Sequence, residues 1–281
     1  MHIGVFDSGF GGLSIFKSIR ERLPQYDYVY LGDNARTPYG NRSFSAIFKF
    51  TRECLDILFA RGCTLVIIAC NTSSAKALRT VQQTVLPVHY PDRKVLGIIR
   101  PSAEALAAYP RERTVALWAT EGTVKSNSFV LELDKLAPEL RLVQMACPLL
   151  VPMVEAGELE GPGIDYFLAK YWSATMAAAA ASASASPSRS PRIDALLLAC
   201  THYPLLLDRI RSVLPPGVDV LIQGDIVAPS LADYLRRHPE VESQLGRGGG
   251  QSFLTTDQTE GFDRLAQVFL GHPVVSEKVE I

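Results

Sequence analysis

The chain has 281 residues, 47% of them hydrophobic, and its 28 Lys and Arg against 29 Asp and Glu leave a formal charge of −1. That length and apolar content suffice for one large or two modest cores. The balanced charge offers no broad basic surface, so neither nucleic acid nor an anionic membrane is expected as a partner.

The chain opens directly on a strand-like run, His2–Asp7, with no charged region, apolar core and cleavage site of a signal peptide ahead of it, so a cytoplasmic location is expected. A helix over Gly11–Leu23, a strand over Tyr28–Asp33 and a long helix over Ser45–Arg61 follow. Next come a strand ending at Cys70, a helix near Ser73–Thr84 and a strand over Val95–Ile99. The alternation resumes with Thr114–Ala119 as a strand, Lys125–Leu136 as a helix, Arg141–Met145 as a strand, helical stretches, and a strand ending at Cys200. A helix to about Val213, a strand over Val218–Ile222 and helices near Ser230–Arg237 and Gly261–Leu270 complete the series. No apolar run approaches the roughly 20 residues of a membrane helix.

Strands alternating with helices predict an α/β fold of parallel sheets covered by helices. Two matching units suggest two similar domains facing each other across a central cleft. Residues 1–99 with about 212–281 form the first, carrying Asp7 and Cys70. Residues 100–211 form the second, carrying Cys200, with the boundary near Arg100-Pro101. Ala, Ser and Pro fill most of 174–191, which reads as an exposed, partly disordered insertion without function, although Met176–Ala181 has the composition to extend a helix. Gly246–Gly250 reads as a second flexible loop.

The matching units are Leu65-Val66-Ile67-Ile68-Ala69-Cys70 and Ala195-Leu196-Leu197-Leu198-Ala199-Cys200. A short apolar run bounded by turn residues predicts a buried parallel strand, which puts each cysteine at the carboxyl end where open α/β sheets bind ligands. A helix start directly after each would lower the thiol pKa towards the reactive thiolate. One such thiol suggests a nucleophile. Two in duplicated settings suggest a symmetric reaction, one thiol on each face of a substrate.

Asp7-Ser8-Gly9-Phe10-Gly11-Gly12 emerges at the same edge, and its glycines permit close backbone approach and free N–H groups for an anion. It lacks the spacing of a nucleotide loop and reads equally well as a tight strand-to-helix turn. Gly32-Asp33 through Pro38-Tyr39-Gly40 closes the second strand, where Asp33 caps a turn and Tyr39 and Gly40 are candidates to line the site.

Taken together, these residues resemble the glutamate racemases of the aspartate/glutamate racemase superfamily over nearly the whole chain. The likeness rests on Gly4-Val5-Phe6-Asp7-Ser8-Gly9, Gly32-Asp33 through Gly40, Ala69-Cys70-Asn71-Thr72, Ala119-Thr120-Glu121-Gly122-Thr123, Cys147-Pro148 through Glu155, and Cys200-Thr201-His202-Tyr203-Pro204 in family order. The last of these favours the glutamate branch over the aspartate one. Trp118, Gln223-Gly224-Asp225 and the Ala/Ser-rich segment depart from the family pattern. The resemblance implies a cytoplasmic isomerase, a homodimer, that supplies D-glutamate for peptidoglycan synthesis, cell wall biogenesis and cell shape. It implies Cys70 acting on the D-enantiomer with Asp7 in support, and Cys200 on the L-enantiomer supported by His202 and Glu155. Asp7, Ser8, Tyr39, Gly40, Asn71, Thr72, Thr120, Thr123, Thr201 and His202 would bind substrate. No cofactor is implied, so hydroxyl and N–H donors must stabilise the carbanionic transition state.

The residues support that chemistry independently. Racemisation takes the α-proton from one face and returns one to the other, so two groups must each serve as base in one direction and acid in the other. A thiol, with an ordinary pKa near 8.5, suits both roles. Thr72 and Thr201 read equally as plain helix caps. Cys54, Cys63 and Cys147 are expected to be buried and inert, and His2 and His89 structural. Five cysteines without close spacing fit a reducing compartment, and no Cys-x-x-Cys or paired histidines suggest a metal. A racemase of aspartate or hydantoin is the nearest alternative. A cysteine hydrolase built on Cys200 and His202 leaves Cys70 unexplained, and a binding protein that has lost catalysis would not need both thiols.

Overall fold

The computed structural model describes residues 1–110, 113–184 and 192–281. It forms two compact units, Met1–Ile98 with Gly224–Ile281, and Ile99–Gln223. The described strands are β1 (His2–Asp7), β2 (Tyr28–Gly32), β3 (Cys63–Ile68), β4 (Lys94–Gly97), β5 (Thr114–Ala119), β6 (Arg141–Ala146), β7 (Ala195–Ala199), β8 (Asp219–Ile222), β9 (Gln251–Thr255) and β10 (Ser276–Lys278).

In the first unit the strand order is β10-β9-β2-β1-β3-β4, with every pairing parallel. β2 and β3 are buried along their whole length, which is why they read as unbroken apolar runs rather than alternating ones. Helix Leu13–Arg22 buries Leu13, Ile15, Phe16 and Ile19, and helix Phe44–Ala60 buries Ile47, Cys54, Leu55, Leu58 and Phe59. Ser43 starts the second of these by accepting a hydrogen bond from the Ala46 amide at 3.2 Å. β9 and β10 were not anticipated. β9 owes its place to pairing with β2, and β10 is a short, mostly exposed edge strand with no apolar signature.

The glycine run Gly246–Gly250 is not a free loop. The Asp27 carboxylate accepts the amides of Gly248 at 3.2 Å and Gly250 at 2.8 Å, and these donors hold its pKa below the ordinary range. A Cβ on Gly246 would fall 2.3 Å from an Asp27 oxygen, so the approach requires glycine.

The second unit has the order β6-β5-β7-β8, again wholly parallel. Because β8 pairs with β7 from Ala195↔Asp219 to Leu198↔Ile222, the chain returns to the first unit at Gly224, not near residue 212 as the sequence suggested. Gln223 is buried, and its amide donates to Ser102 Oγ at 2.9 Å, so this unusual residue ties the last residue of the unit to its first helix, Ile99–Ala107.

The largest correction concerns the Ala/Ser-rich stretch. Residues 174–184 are the end of a 23-residue helix, Pro162–Ser184, not an exposed insertion. Leu168, Tyr171, Thr175 and Ala179 repeat at helical spacing and are buried. Trp118, fully buried on β5, donates from Nε1 to Thr175 Oγ1 at 2.9 Å, and Thr175 passes a bond to the Tyr171 carbonyl at 2.7 Å. The buried Arg141 of β6 donates to the Ala179 carbonyl, and its Nε to Ser182 Oγ at 3.1 Å. Trp118 and the Ala-rich segment, two separate departures in the sequence, are thus one packing arrangement. The remainder of the expected insertion, 185–191, lies outside the described residues.

Candidate active site

The strand order of each sheet first reverses at its third strand, and both cysteines follow the strand laid down after that reversal. In the first unit the chain adds β2 on one side of β1 and then β3 on the other. In the second it adds β6 on one side of β5 and then β7 on the other. Loops leaving the two central strands turn to opposite faces there, and the crevice between them is where open α/β sheets bind ligands. Asp7-Ser8 and Cys70 leave β1 and β3; Thr120 and Cys200 leave β5 and β7.

In the first unit, Asp7 is fully buried and one carboxylate oxygen accepts the Gly9 amide at 3.1 Å. That amide is therefore spent on Asp7 rather than left for an anion. The buried Tyr30 hydroxyl donates to the Gly9 carbonyl at 3.0 Å, and a Cβ on Gly12 would stand 2.4 Å from Asp7 Cβ. Cys70 is 5% exposed, and its thiol donates to Ser8 Oγ at 3.4 Å. Burial and the Asp7 charge push the thiol up to about 11, while the Ser8 hydroxyl and the amide and hydroxyl of Ser73 pull it down by less. The expected depression of this pKa by a helix start is thus reversed, and the regular helix after Cys70 spans only Asn71–Lys76. Asn71 and Thr72 are buried beside it, with Cys70 rather than Thr72 in the cap position.

The second strand supplies a loop rather than a hydroxyl. Asp33, fully buried, accepts Arg36 Nε at 2.7 Å, Thr256 Oγ1 at 2.9 Å and the Tyr39 hydroxyl. Arg36 also pairs with Glu53 and lies 4.2 Å over the Phe50 ring. The ring of Tyr39 is buried in the core cluster that contains Phe6 and Cys70. The Tyr39 phenol is given to Asp33 and holds this loop, and Gly40, half-buried, continues it. Asp33 holds the cap position of the short 3-10 turn Asn34–Arg36, as expected, but its carboxylate is the centre of this network instead of bonding to the turn's amides.

In the second unit, Cys200 and Thr201 are buried, and the chain turns through a 3-10 segment, Tyr203–Leu206, before its helix begins. The expected helix start directly after Cys200 is absent. His202, 4% exposed, lies with Nε2 3.1 Å from Glu155 Oε1 and is also hydrogen-bonded with Cys200. Burial alone would lower the imidazole pKa, but the hydrogen bonds and charges of Cys200 and Glu155 lift it to about 10. Tyr203, given no role by sequence reasoning, donates to the Cys147 carbonyl at 3.0 Å and anchors the segment leading to Glu155. Thr120 caps helix Glu121–Lys125 by accepting the Thr123 amide at 3.3 Å, and the two hydroxyls lie 3.1 Å apart.

All five cysteines are free and buried, and burial pushes Cys54, Cys63 and Cys147 above the ordinary thiol range. Among the described residues, no three His, Cys, Asp or Glu side chains are grouped to hold a metal, and no helix is long and apolar enough to cross a membrane.

Comparison with known proteins agrees with this geometry. Residues 3–229 match the family model described as Asp/Glu/Hydantoin racemase. The glutamate racemase of Paracoccus denitrificans (strain Pd 1222) is 42% identical over 284 residues, covering 98% of each chain. The crystal structure of glutamate racemase from Francisella tularensis subsp. tularensis SCHU S4 in complex with D-glutamate is similar at a TM-score of 0.83 and 29% identity, over 99% of this chain and 97% of that one. The enzyme of Thermus thermophilus, in complex with β-chloro-D-alanine, is similar at a TM-score of 0.78 and 32% identity, over 100% and 97%. With both cysteine units, their sheet positions and full-length similarity in agreement, the chain belongs to the Asp/Glu/Hydantoin racemase family.

Proposed function

We propose that the protein interconverts L-glutamate and D-glutamate, with Cys70 and Cys200 as acid and base on opposite faces of the substrate. One thiolate takes the α-proton from one face of the amino acid. The other thiol gives its proton to the opposite face, and the exchanged protonation states serve the reverse direction. Cys70 serves the D-enantiomer and Cys200 the L-enantiomer.

The observation that carries this proposal is the duplication: each unit offers one reduced, buried cysteine on the loop after its strand-order reversal. The two settings differ in charge. Burial and Asp7 favour the protonated Cys70 thiol that donates, whereas His202, kept protonated by its hydrogen bonds and charges with Cys200 and Glu155, supplies positive charge beside the Cys200 sulfur. The carbanionic transition state is met by preorganised donors from Ser8, Asn71, Thr72 and Thr201, without a cofactor. Gly40, Thr120 and Thr123 complete the pocket, and Tyr39 holds the loop before Gly40. Glutamate is favoured as substrate by the likeness to the Paracoccus glutamate racemase and by the D-glutamate bound in the Francisella enzyme. The product serves peptidoglycan synthesis, and with it cell wall biogenesis and cell shape, in the cytoplasm, with the enzyme working as a homodimer.

Circular dichroism of the pure protein with L-glutamate, D-glutamate or L-aspartate, without added cofactor or metal, tests this. Loss of optical signal with both glutamate enantiomers is expected. Activity on aspartate but not glutamate, or none after dialysis against chelator, overturns the proposal.

A further inference from the structure

Ser73 stands three residues beyond Cys70, fully buried, and its hydroxyl makes no hydrogen bond of ordinary geometry. A buried hydroxyl left unpaired is costly, so its presence beside a reacting atom calls for a physical reason. The third residue after a cap position turns its amide back towards the cap side chain, and that side chain is the Cys70 thiol.

The state of the sulfur supplies the reason. As a thiol, Cys70 donates its S–H to Ser8 Oγ at 3.4 Å, and the sulfur is then only a weak acceptor. Once the proton leaves, the sulfur carries a full negative charge in a water-poor site and needs donors. The titratable groups facing it add none: Asp7 from β1 is an acceptor of like charge, and the Tyr30 hydroxyl from β2 is already given to the Gly9 carbonyl. Tyr39, in the same core cluster, is committed to Asp33. The donors that act on the sulfur are the Ser8 hydroxyl, able to turn round, and the amide and hydroxyl of Ser73.

We propose that Ser73 is a further catalytic residue, its hydroxyl held in reserve as a hydrogen-bond donor to the Cys70 thiolate and unpaired while the thiol is protonated. Its effect on the sulfur agrees in direction: both groups of Ser73 act downwards on the thiol, against burial and Asp7. The consequence for turnover rests on the racemase reading above, whereas the donor role concerns the thiol alone.

Two measurements test it. In a Cys200→Ala background, iodoacetamide labelling of Cys70 between pH 7 and 10, read by peptide mass spectrometry, should be about three- to tenfold slower at each pH when Ser73→Ala is added, as an upward pKa shift of about half to one unit requires. The same pair, in D2O, should show a like slowing of α-proton exchange from D-glutamate. In a Cys70→Ala background, adding Ser73→Ala should leave exchange from L-glutamate unchanged. Unaltered labelling, or equal slowing of exchange for both enantiomers, overturns the role of Ser73. A parent protein that exchanges neither enantiomer overturns the racemase reading instead, and labelling still decides the donor role.

Discussion

His202 Nε2 and Glu155 Oε1 lie 3.1 Å apart, and the same imidazole is hydrogen-bonded with Cys200, so a half-buried acid, a buried base and a buried thiol form one chain in the second unit. Because these partners outweigh burial and lift the imidazole from 6.5 to about 10, the folded protein keeps a proton that the unfolded chain loses. The stabilisation is full below pH 6.5 and falls as pH rises towards about 10, by up to about 1.4 kcal/mol per pH unit. Urea midpoints between pH 6 and 9 should therefore decline, and His202→Gln should flatten that decline. Above about pH 9 the buried thiols add their own slope. An equally steep decline in the variant would show that His202 is not the group responsible.

Removing either proposed proton carrier should abolish racemisation while sparing half of the chemistry. In D2O, Cys200→Ala should exchange the α-proton of D-glutamate selectively, and Cys70→Ala that of L-glutamate. Exchange will be slower than in the parent, since the lost thiol also shapes the pocket. Exchange of both enantiomers by one variant, followed by proton NMR, would refute an opposed pair.

Tyr39→Phe separates a loop anchor from a ligand contact. The hydroxyl is one of the donors to buried Asp33, so its removal should cost about 1–3 kcal/mol of stability in a denaturant titration. With the Thr256 and Arg36 bonds intact, kcat/KM should stay within about threefold of the parent, well under the tenfold that 1.4 kcal/mol of transition-state binding represents. A loss of kcat/KM beyond tenfold with unchanged stability would place the phenol on the substrate.

Helix Pro162–Ser184 makes a contrasting pair. Ala179 is fully buried between the helix and β6, so Ala179→Leu overpacks the site and should cost about 1–3 kcal/mol. Ala177 is exposed, and Ala177→Leu should change stability by less than about 0.5 kcal/mol. Similar urea midpoints for the two variants would mean that the helix end does not pack.

The central strands and the two cysteines were legible because a strand buried on both faces writes itself as a short apolar run, and the residue after it is then fixed at the sheet edge. The two parallel α/β units followed from the same signal. What stayed hidden depends on partners distant in sequence. β10, Ser276–Lys278, has no apolar side chain and exists through pairing with β9. Residues 174–184 have the composition of a disordered linker, but alanine is also the best helix former, and Trp118 and Arg141 decide the outcome. Local sequence predicted a lowered Cys70 pKa from a helix start, whereas burial, joined by Asp7 on the neighbouring strand, pushes it up. Nor could sequence tell that the Tyr39 hydroxyl is given to Asp33, since both a pocket-lining and a buried tyrosine follow the same loop pattern.

The point of return at Gly224 also orders events during synthesis. Ile99–Gln223 is one uninterrupted stretch, so every strand of its sheet has been made before the last part of the first unit exists. β2, by contrast, lacks a neighbour on one side until Gln251–Thr255 emerges, and that strand in turn waits for Ser276–Lys278. As domains fold in the order in which their chain becomes available, the unit begun second is completed first. The nascent chain thus carries an open strand edge at Tyr28–Gly32 through most of its translation, and that edge is where pairing with a wrong partner would begin.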